Sequence, residues 1–392
     1  MKFATRVSRI SVSQTMAVNE KALRMKSEGV DIVDFGAGEP DFPTPENIKQ
    51  AGIRAIESNF TRYTSIGGTP DLRKAIVEHH AHIFGSKYDP AECIVNVGGK
   101  HAIFNIVSAI VEDGDDVIIP TPYWVSFADI ARYAGGTTVF AETFEAEGFR
   151  LTAGLVEKHL TPKTRLLIAN SPGNPSGAVI DDEEFVRIAA LCRSRGILLL
   201  SDECYARFLY DHRKPFSLGA HPEFRNTVAI AGSLSKTYAM TGWRIGYVLG
   251  TKDLIAAVQK IQSHSTSNPT SVSQIAALEA LTGPQGSVAM MLAEYARRRD
   301  MVVQRLNGIP GVECTNPGGA FYAYPNISSA FARGIRDCLE FSVRLLEEAH
   351  VAVVPGSAFG TTDHIRISYA TSMEELDRGL TRLAAFMNRL SF

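Results

Sequence analysis

The chain is poor in every feature that would point to a membrane, a metal or a nucleic acid. No apolar run reaches the roughly 18 residues that a membrane-spanning helix needs. The opening segment MKFATRVSRI has basic residues but no continuous apolar stretch behind them, so it does not read as a secretion signal. Cysteine is scarce, five in 392 residues: Cys93, Cys192, Cys204, Cys314 and Cys338. The number is odd and no pair has CxxC or other metal-like spacing, so they read as reduced thiols, most of them buried. Neither sign of charge dominates: 40 Lys and Arg against 42 Asp and Glu give a formal net charge of −2. That balance argues against a nucleic-acid or acidic-membrane partner. Internal repeats and low-complexity segments are missing too. The expectation left standing is a cytoplasmic globular protein with one large and one smaller domain.

What is present begins with alternation. Short apolar runs at Cys93–Val97, Asp116–Ile119, Arg165–Ala169, Ile197–Ser201, Thr227–Ala231 and Ile245–Gly250 are separated by stretches of helical period such as Lys100–Val111 and Asp182–Arg195. Several runs are apolar at nearly every position, as strands covered on both faces are. The pattern predicts an α/β domain with a mainly parallel sheet flanked by helices. The last third differs. A long helix is expected over about Val288–Leu306, then strands near Ala320–Tyr324, Val351–Val354 and His364–Tyr369, with helices at Arg336–Glu348 and Met373–Met387. This predicts a smaller α+β domain over 286–392, a large domain over 46–285, and residues 1–45 as an arm and part of the small domain. The loop Gly36–Pro45 is the natural crossing point.

Polar residues collect where these strands end. Ser233-Leu234-Ser235-Lys236 follows the run Thr227–Ala231, and Arg244 comes eight residues after Lys236 in Gly242-Trp243-Arg244-Ile245-Gly246. A lysine past the C-terminal end of a buried strand faces the crevice where α/β proteins bind ligands. Two hydroxyls and a guanidinium around it suit a phosphate monoester, and a desolvated lysine can attack a carbonyl. Alone, SxSK reads equally as a surface lysine in a serine-rich turn. Gly98-Gly99-Lys100 joins a strand to a helix start, which is an anion site or simply a tight turn. Asp202 ends a buried strand and needs a cation, either a structural Arg or Lys or a protonated ring nitrogen. Tyr205 lies three residues on. Asn174, in Ser171-Pro172-Gly173-Asn174-Pro175-Ser176-Gly177, is held in a rigid turn for a contact with a ligand or with its own backbone. Trp124 follows a strand and can stack on a flat ring or pack into the core. Arg366, in His364-Ile365-Arg366-Ile367-Ser368-Tyr369, points away from its apolar neighbours. It faces either solvent or a cleft, where it would clamp a carboxylate.

From about Val7 to Met387 the chain resembles the class I aminotransferases of pyridoxal phosphate (PLP) fold type I. Gly36-Ala37-Gly38-Glu39-Pro40-Asp41, Asn174-Pro175-Ser176-Gly177, Asp202-Glu203-Cys204-Tyr205 and Ser233–Gly246 match that family's signatures in order and spacing. The resemblance implies pyridoxal 5'-phosphate held by Lys236 as a Schiff base, with Lys236 later moving the proton between substrate and cofactor. It implies that Asp202 keeps the pyridine nitrogen protonated, that Asn174 and Tyr205 bond the phenolic oxygen, and that Trp124 stacks on the ring. Gly99, Lys100 (by main chain), Ser233, Ser235 and Arg244 surround the phosphate. Arg366 pairs with the substrate α-carboxylate and Gly38 closes over it. Tyr63 is donated to the phosphate across a homodimer. No metal is implied.

The finer resemblance is to bacterial aspartate aminotransferases of subgroups Iβ and Iγ, some of which also transaminate prephenate. It places Thr15 and Lys100 at the distal carboxylate of an acidic substrate. Subgroup members often carry a basic residue where this chain has Ser11. The expected activity is ping-pong transfer from aspartate or glutamate to 2-oxoglutarate or oxaloacetate. Other reactions on the scaffold are transamination of prephenate or of an aromatic or specialised amino acid, β-elimination, and cyclopropane formation. A non-catalytic PLP-binding regulator fused to a DNA-binding domain would need room before residue 7 and a more basic surface.

Overall fold

All six apolar runs of the middle of the chain pair into one sheet. In this computed structural model, residues 3–11 and 14–390 are described, without the side chains of 14–19. The first half comprises α1 (Thr5–Ser8), α2 (Gln14–Ser27), β1 (Val33–Asp34), α3 (Glu46–Glu57), α4 (Pro70–Phe84), β2 (Cys93–Asn96), α5 (Gly99–Ile110), β3 (Asp116–Thr121), α6 (Ser126–Ala134), β4 (Thr137–Glu142), α7 (Ala153–Lys158), β5 (Thr164–Asn170), α8 (Asp182–Arg195) and β6 (Leu198–Asp202). Then follow β7 (Val228–Ser233), β8 (Gly246–Leu249), α9 (Lys252–Ser263), α10 (Ser271–Thr282), α11 (Gly286–Asn307), β9 (Tyr322–Ala323), α12 (Cys338–Ala349), β10 (Val351–Ala352), β11 (Val354–Pro355), β12 (Ile365–Ser368) and α13 (Met373–Arg389).

The large sheet runs β2-β8-β7-β6-β5-β3-β4. It is parallel from β7 through β4, and β8 alone lies antiparallel to its neighbours β2 and β7. Side-chain alternation explains the unbroken apolar runs. Leu166 and Ile168 of β5 join a core with α5, α6 and α9, while Leu167 and Ala169 join a second core with α3, α4, α8 and α10. Register then sets the working end: Asn170 pairs with Asp202, and Asp202 with Ala231. The C-terminal ends of β5, β6 and β7 therefore stand side by side. The edge strand β4 has no counterpart among the apolar runs, because TTVFAE buries only Ala141 fully.

A third core gathers α11, α12 and α13 with Phe321, Tyr322, Ile365 and Ile367. Two small sheets accompany it, β1-β10 and β11-β12-β9. The single strand expected over Val351–Val354 is two, because Val351 and Ala352 pair with β1 whereas Val354 and Pro355 pair with β12. The N-terminal residues divide as well. Ala22 and Ile32 pack with Leu346 and Ala352, while Arg9 pairs with Asp113 at 2.7 Å and Ser11 bonds Asp129 of α6. No helix among the described residues is long and apolar enough to cross a membrane.

Phe386 of α13 is fully buried with its ring edge against Phe341. Phe386→Ala is expected to cost about 3–5 kcal/mol in reversible urea unfolding, from lost apolar burial plus the cavity left behind. A loss below about 1 kcal/mol would contradict this packing.

Candidate active site

The aligned strand ends feed a cleft of about 410 Å³. Its lining includes Gly38, Gly99, Lys100, Trp124, Asn174, Asp202, Tyr205, Ser233, Ser235, Lys236, Arg244 and Arg366. Residues from opposite ends of the chain thus meet in one space. Of the remaining predicted residues, Tyr63 is 90% exposed and lines no part of this cleft. Thr15 lies on α2, with its side chain outside the described residues.

Asp202 is brought there by β6, whose five residues are Leu-Leu-Leu-Ser-Asp, all but the first fully buried. Its carboxylate accepts the Cys204 N–H at 3.0 Å, and among the described residues it has no cationic partner. Burial pushes its pKa up to about 7; the Cys204 N–H opposes that and nearby Glu203 adds to it. Arg366 has the opposite problem. Of the two faces open to it, solvent or a cleft, Arg366 takes the cleft: β12 buries all four residues, with Arg366 only 7% exposed. Its guanidinium donates to Asn174 Oδ1 at 3.0 Å and to the Gly36 carbonyl at 2.8 Å, and its Nε has no partner. No described carboxylate pairs with it. One buried anion and one buried cation, each without a counter-charge, line the same cleft.

The phosphate-like features also converge. Gly98, at φ 85°, precedes α5 and offers no side-chain cap, which leaves N–H groups at the helix start free for an anion. A Cβ on Gly98 would lie 2.3 Å from Arg244 Nη2, so only glycine lets the guanidinium come this close. Arg244 donates to the Thr241 carbonyl at 2.9 Å, and Ser233 Oγ accepts the Ser235 N–H at 3.1 Å. Lys236 Nζ reaches the Gly38 carbonyl. Burial lowers its pKa, with Arg366 and Arg244 adding, while Cys204 and Glu39 oppose. Lys100 Nζ lies 5.1 Å from the Trp124 ring centroid.

The segment 36–45 holds the parts together as a strap. Thr44 Oγ1 donates to the Ala239 carbonyl at 2.6 Å and accepts Trp243 Nε1 at 3.0 Å. Glu39 accepts Thr241 Oγ1 at 2.7 Å, and Arg298 grips Asp41 at 2.8 and 2.9 Å. Strap carbonyls therefore meet both Arg366 and Lys236. Sequence reasoning gave no role to six cleft residues, Glu39, Ile103, Asn170, Cys204, Thr241 and Tyr322. Tyr322 is fully buried and its hydroxyl lies 2.8 Å from that of Tyr205. Its only sequence signal was a position in an apolar run after two glycines. Asn170 Nδ2 donates to the Asp202 carbonyl at 3.1 Å, and its Oδ1 accepts the Asn174 N–H at 2.9 Å.

The sequence model of the family described as aminotransferase class I and II matches residues 30–383. The aspartate aminotransferase of Geobacillus stearothermophilus is 43% identical over 389 residues, covering 99% of each chain. The aspartate/prephenate aminotransferase of Cereibacter sphaeroides is 45% identical over 397 residues, covering 98% of each. The crystal structure of the Rhizobium meliloti aspartate aminotransferase superposes with a TM-score of 0.95 at 41% identity, over all of both chains. The chain belongs to the class I and II aminotransferase family, and it is accordingly a PLP-dependent enzyme that moves amino groups between amino acids and 2-oxo acids.

The residues present fit that cofactor. Asp202 is a buried carboxylate short of one cation, which a protonated pyridine nitrogen would supply. Gly99, Ser233, Ser235 and Arg244 line one part of the cleft, and a Cβ at Gly98 would push the Arg244 guanidinium out of place. The Asp202 charge has a measurable consequence in the cofactor-free protein. Its folded pKa, about 7, lies above the ordinary 3.8. Its contribution to stability is therefore full below the ordinary value and is lost as pH rises through the folded one. Asp202→Asn removes that titration. Without cofactor, the variant is expected to gain stability over the parent as pH rises from about 4 to 8, by a few kcal/mol at most. A difference independent of pH, measured by urea unfolding, would contradict an unpaired Asp202.

Proposed function

We propose that the enzyme transaminates aspartate or glutamate with 2-oxoglutarate or oxaloacetate in two alternating half-reactions. The observation that carries this reading is Arg366: a buried guanidinium with an open Nε and no carboxylate of its own. A substrate α-carboxylate completes it in bidentate fashion. A second cation, Lys100, lines the same cleft beside Trp124 and suits the distal carboxylate of an acidic substrate. Ser11, bonded to Asp129, does not serve that purpose. Relatives named for aspartate support the same choice.

When bound, PLP supplies an electron sink for the bond broken at the substrate Cα. The chain's own residues do the rest. Lys236 would anchor the cofactor and, as the free amine, would take the proton from the substrate Cα and pass it to the cofactor carbon on the far side of the substrate nitrogen. Burial favours the neutral amine that this task needs. Asp202 holds a proton on the pyridine nitrogen. Asn174 and Tyr205 would donate to the phenolic oxygen, and Trp124 would cover the ring. Gly99, the Lys100 main chain, Ser233, Ser235 and Arg244 bind the phosphate, while Gly38 closes over the substrate by its backbone. Exposed Tyr63 fits donation to the phosphate of a second copy, so the active unit is a homodimer. Residues 46–285 form the large domain, with 286–392 and part of 1–45 in the small one. Five free cysteines suit a reducing cytoplasm. The name of the Cereibacter relative favours prephenate as a further acceptor, which product analysis with aspartate and prephenate checks.

An absorbance spectrum taken before and after adding aspartate alone tests this function. The expected result is a cofactor band near the visible–ultraviolet boundary that moves to shorter wavelength as the amino group is taken up. A band that aspartate leaves unchanged contradicts the acidic substrate. Arg366→Ala is expected to lower kcat/KM for aspartate roughly a hundredfold or more, because it removes one partner of a buried charge pair. A change under about threefold would dismiss Arg366 as the clamp.

A further inference from the structure

Tyr322 stands between the two groups that the proposed function uses to bind substrate and to control the cofactor. It lies on β9, directly beside β12 in the small sheet, where it pairs with Ser368. Its ring is fully buried, and the Arg366 guanidinium lies 4.5 Å from its centroid. Its hydroxyl lies 2.8 Å from the Tyr205 hydroxyl, both residues are buried, and both line the cleft. Two phenols so placed have two protons, and only one lies between them. If Tyr322 donates, the Tyr205 proton is free to point into the cleft; if Tyr205 donates, it is not. A cation against the face of Tyr322 favours the first arrangement, because it makes that ring the better donor.

We propose that Tyr322 is a positioning residue which passes the state of Arg366 to Tyr205, so that a carboxylate arriving at the clamp changes how strongly Tyr205 donates to the cofactor. The inference rests on the reading of Arg366 and Tyr205 given above. With the clamp empty, the full charge of Arg366 polarises Tyr322, and Tyr205 donates strongly. With a carboxylate bound, that charge is offset, Tyr205 donates less, and the acidity of the cofactor moves toward a higher pH. Arg366 also touches Asn174 directly at 3.0 Å, so the cleft has two routes from clamp to ring, and Tyr322 carries one of them. The other titratable and charged groups facing the pair are Cys204 beside Tyr205, Asp202 at the end of β6, Lys236 and Arg244 on the loop after β7, and Glu39 on the strap. None of these is hydrogen-bonded to the Tyr322 hydroxyl among the described residues, so the Tyr205 bond is separable from them.

The test is a pH titration of the visible absorbance of the reconstituted holoenzyme, without substrate, for the parent, Tyr322→Phe, Tyr205→Phe and the double variant. A phenylalanine keeps the ring and its edge contacts with Tyr205 and loses only the hydroxyl. Donation to the phenolic oxygen favours its anion, so weaker donation raises the pH midpoint. Tyr322→Phe is expected to raise it by roughly 0.5–1 pH unit, the size of one hydrogen bond. The same substitution should do nothing further in the Tyr205→Phe background. Succinate, with two carboxylates and no amino group, should raise the midpoint of the parent more than that of either single variant. A midpoint unmoved by Tyr322→Phe, or a shift that persists undiminished without the Tyr205 hydroxyl, overturns the relay. Should Tyr322→Phe not fold, an equal succinate response in the parent and Tyr205→Phe overturns it instead. No cofactor band in the parent would overturn the functional reading, and this inference with it.

Discussion

The structure depends on one arrangement: two opposite charges are taken out of water in the same cleft, and neither is given to the other. Asp202 is held at the end of a buried strand with only a backbone N–H for company. Arg366 is held on a four-residue strand with a side-chain amide and a carbonyl for partners. Each is costly on its own, because desolvating a charge without a counter-ion is among the more expensive things a fold can do. The sheet tolerates the cost because its strand ends are rigidly registered and covered on both faces by apolar cores. On the proposed function, a cofactor would bring a ring cation to Asp202 and a substrate would bring a carboxylate to Arg366, each completing its site.

Completion needs the two charges to keep their positions relative to Lys236, and the strap over 36–45 does this. Its Gly36 carbonyl meets Arg366, its Gly38 carbonyl meets Lys236, and its Thr44 and Glu39 side chains bond the loop that carries the lysine. Arg298 Nη1, shared between both carboxylate oxygens of Asp41, ties the same segment to α11. The Tyr205–Tyr322 contact lies inside the core that gathers α11, α12 and α13.

Much of this was legible in the chain, and the reasons are physical. Strands buried on both faces leave near-continuous apolar runs, so β2, β3 and β5 through β8 were visible, and the polar residues just past them marked the cleft. The edge strand β4 was not, because an exposed edge alternates weakly. The break between β10 and β11 was hidden too, since Val351, Ala352, Val353 and Val354 are all buried although they serve two different sheets. Arg366 could be assigned to a face by alternation, but its burial comes from a strap over 300 residues earlier in the chain. Tyr322 left only a faint mark: an aromatic in an apolar run looks like core, and only the fold brings its hydroxyl to that of Tyr205, in the turn after β6.

The central claim, that Asp202 waits for the charge the cofactor brings, is tested most directly by nitrogen-15 magnetic resonance of the holoenzyme carrying PLP labelled at the ring nitrogen. The account predicts a protonated nitrogen through the neutral pH range in the parent and a neutral one after Asp202→Asn. A neutral nitrogen in the parent, or one that stays protonated in the variant, would contradict it.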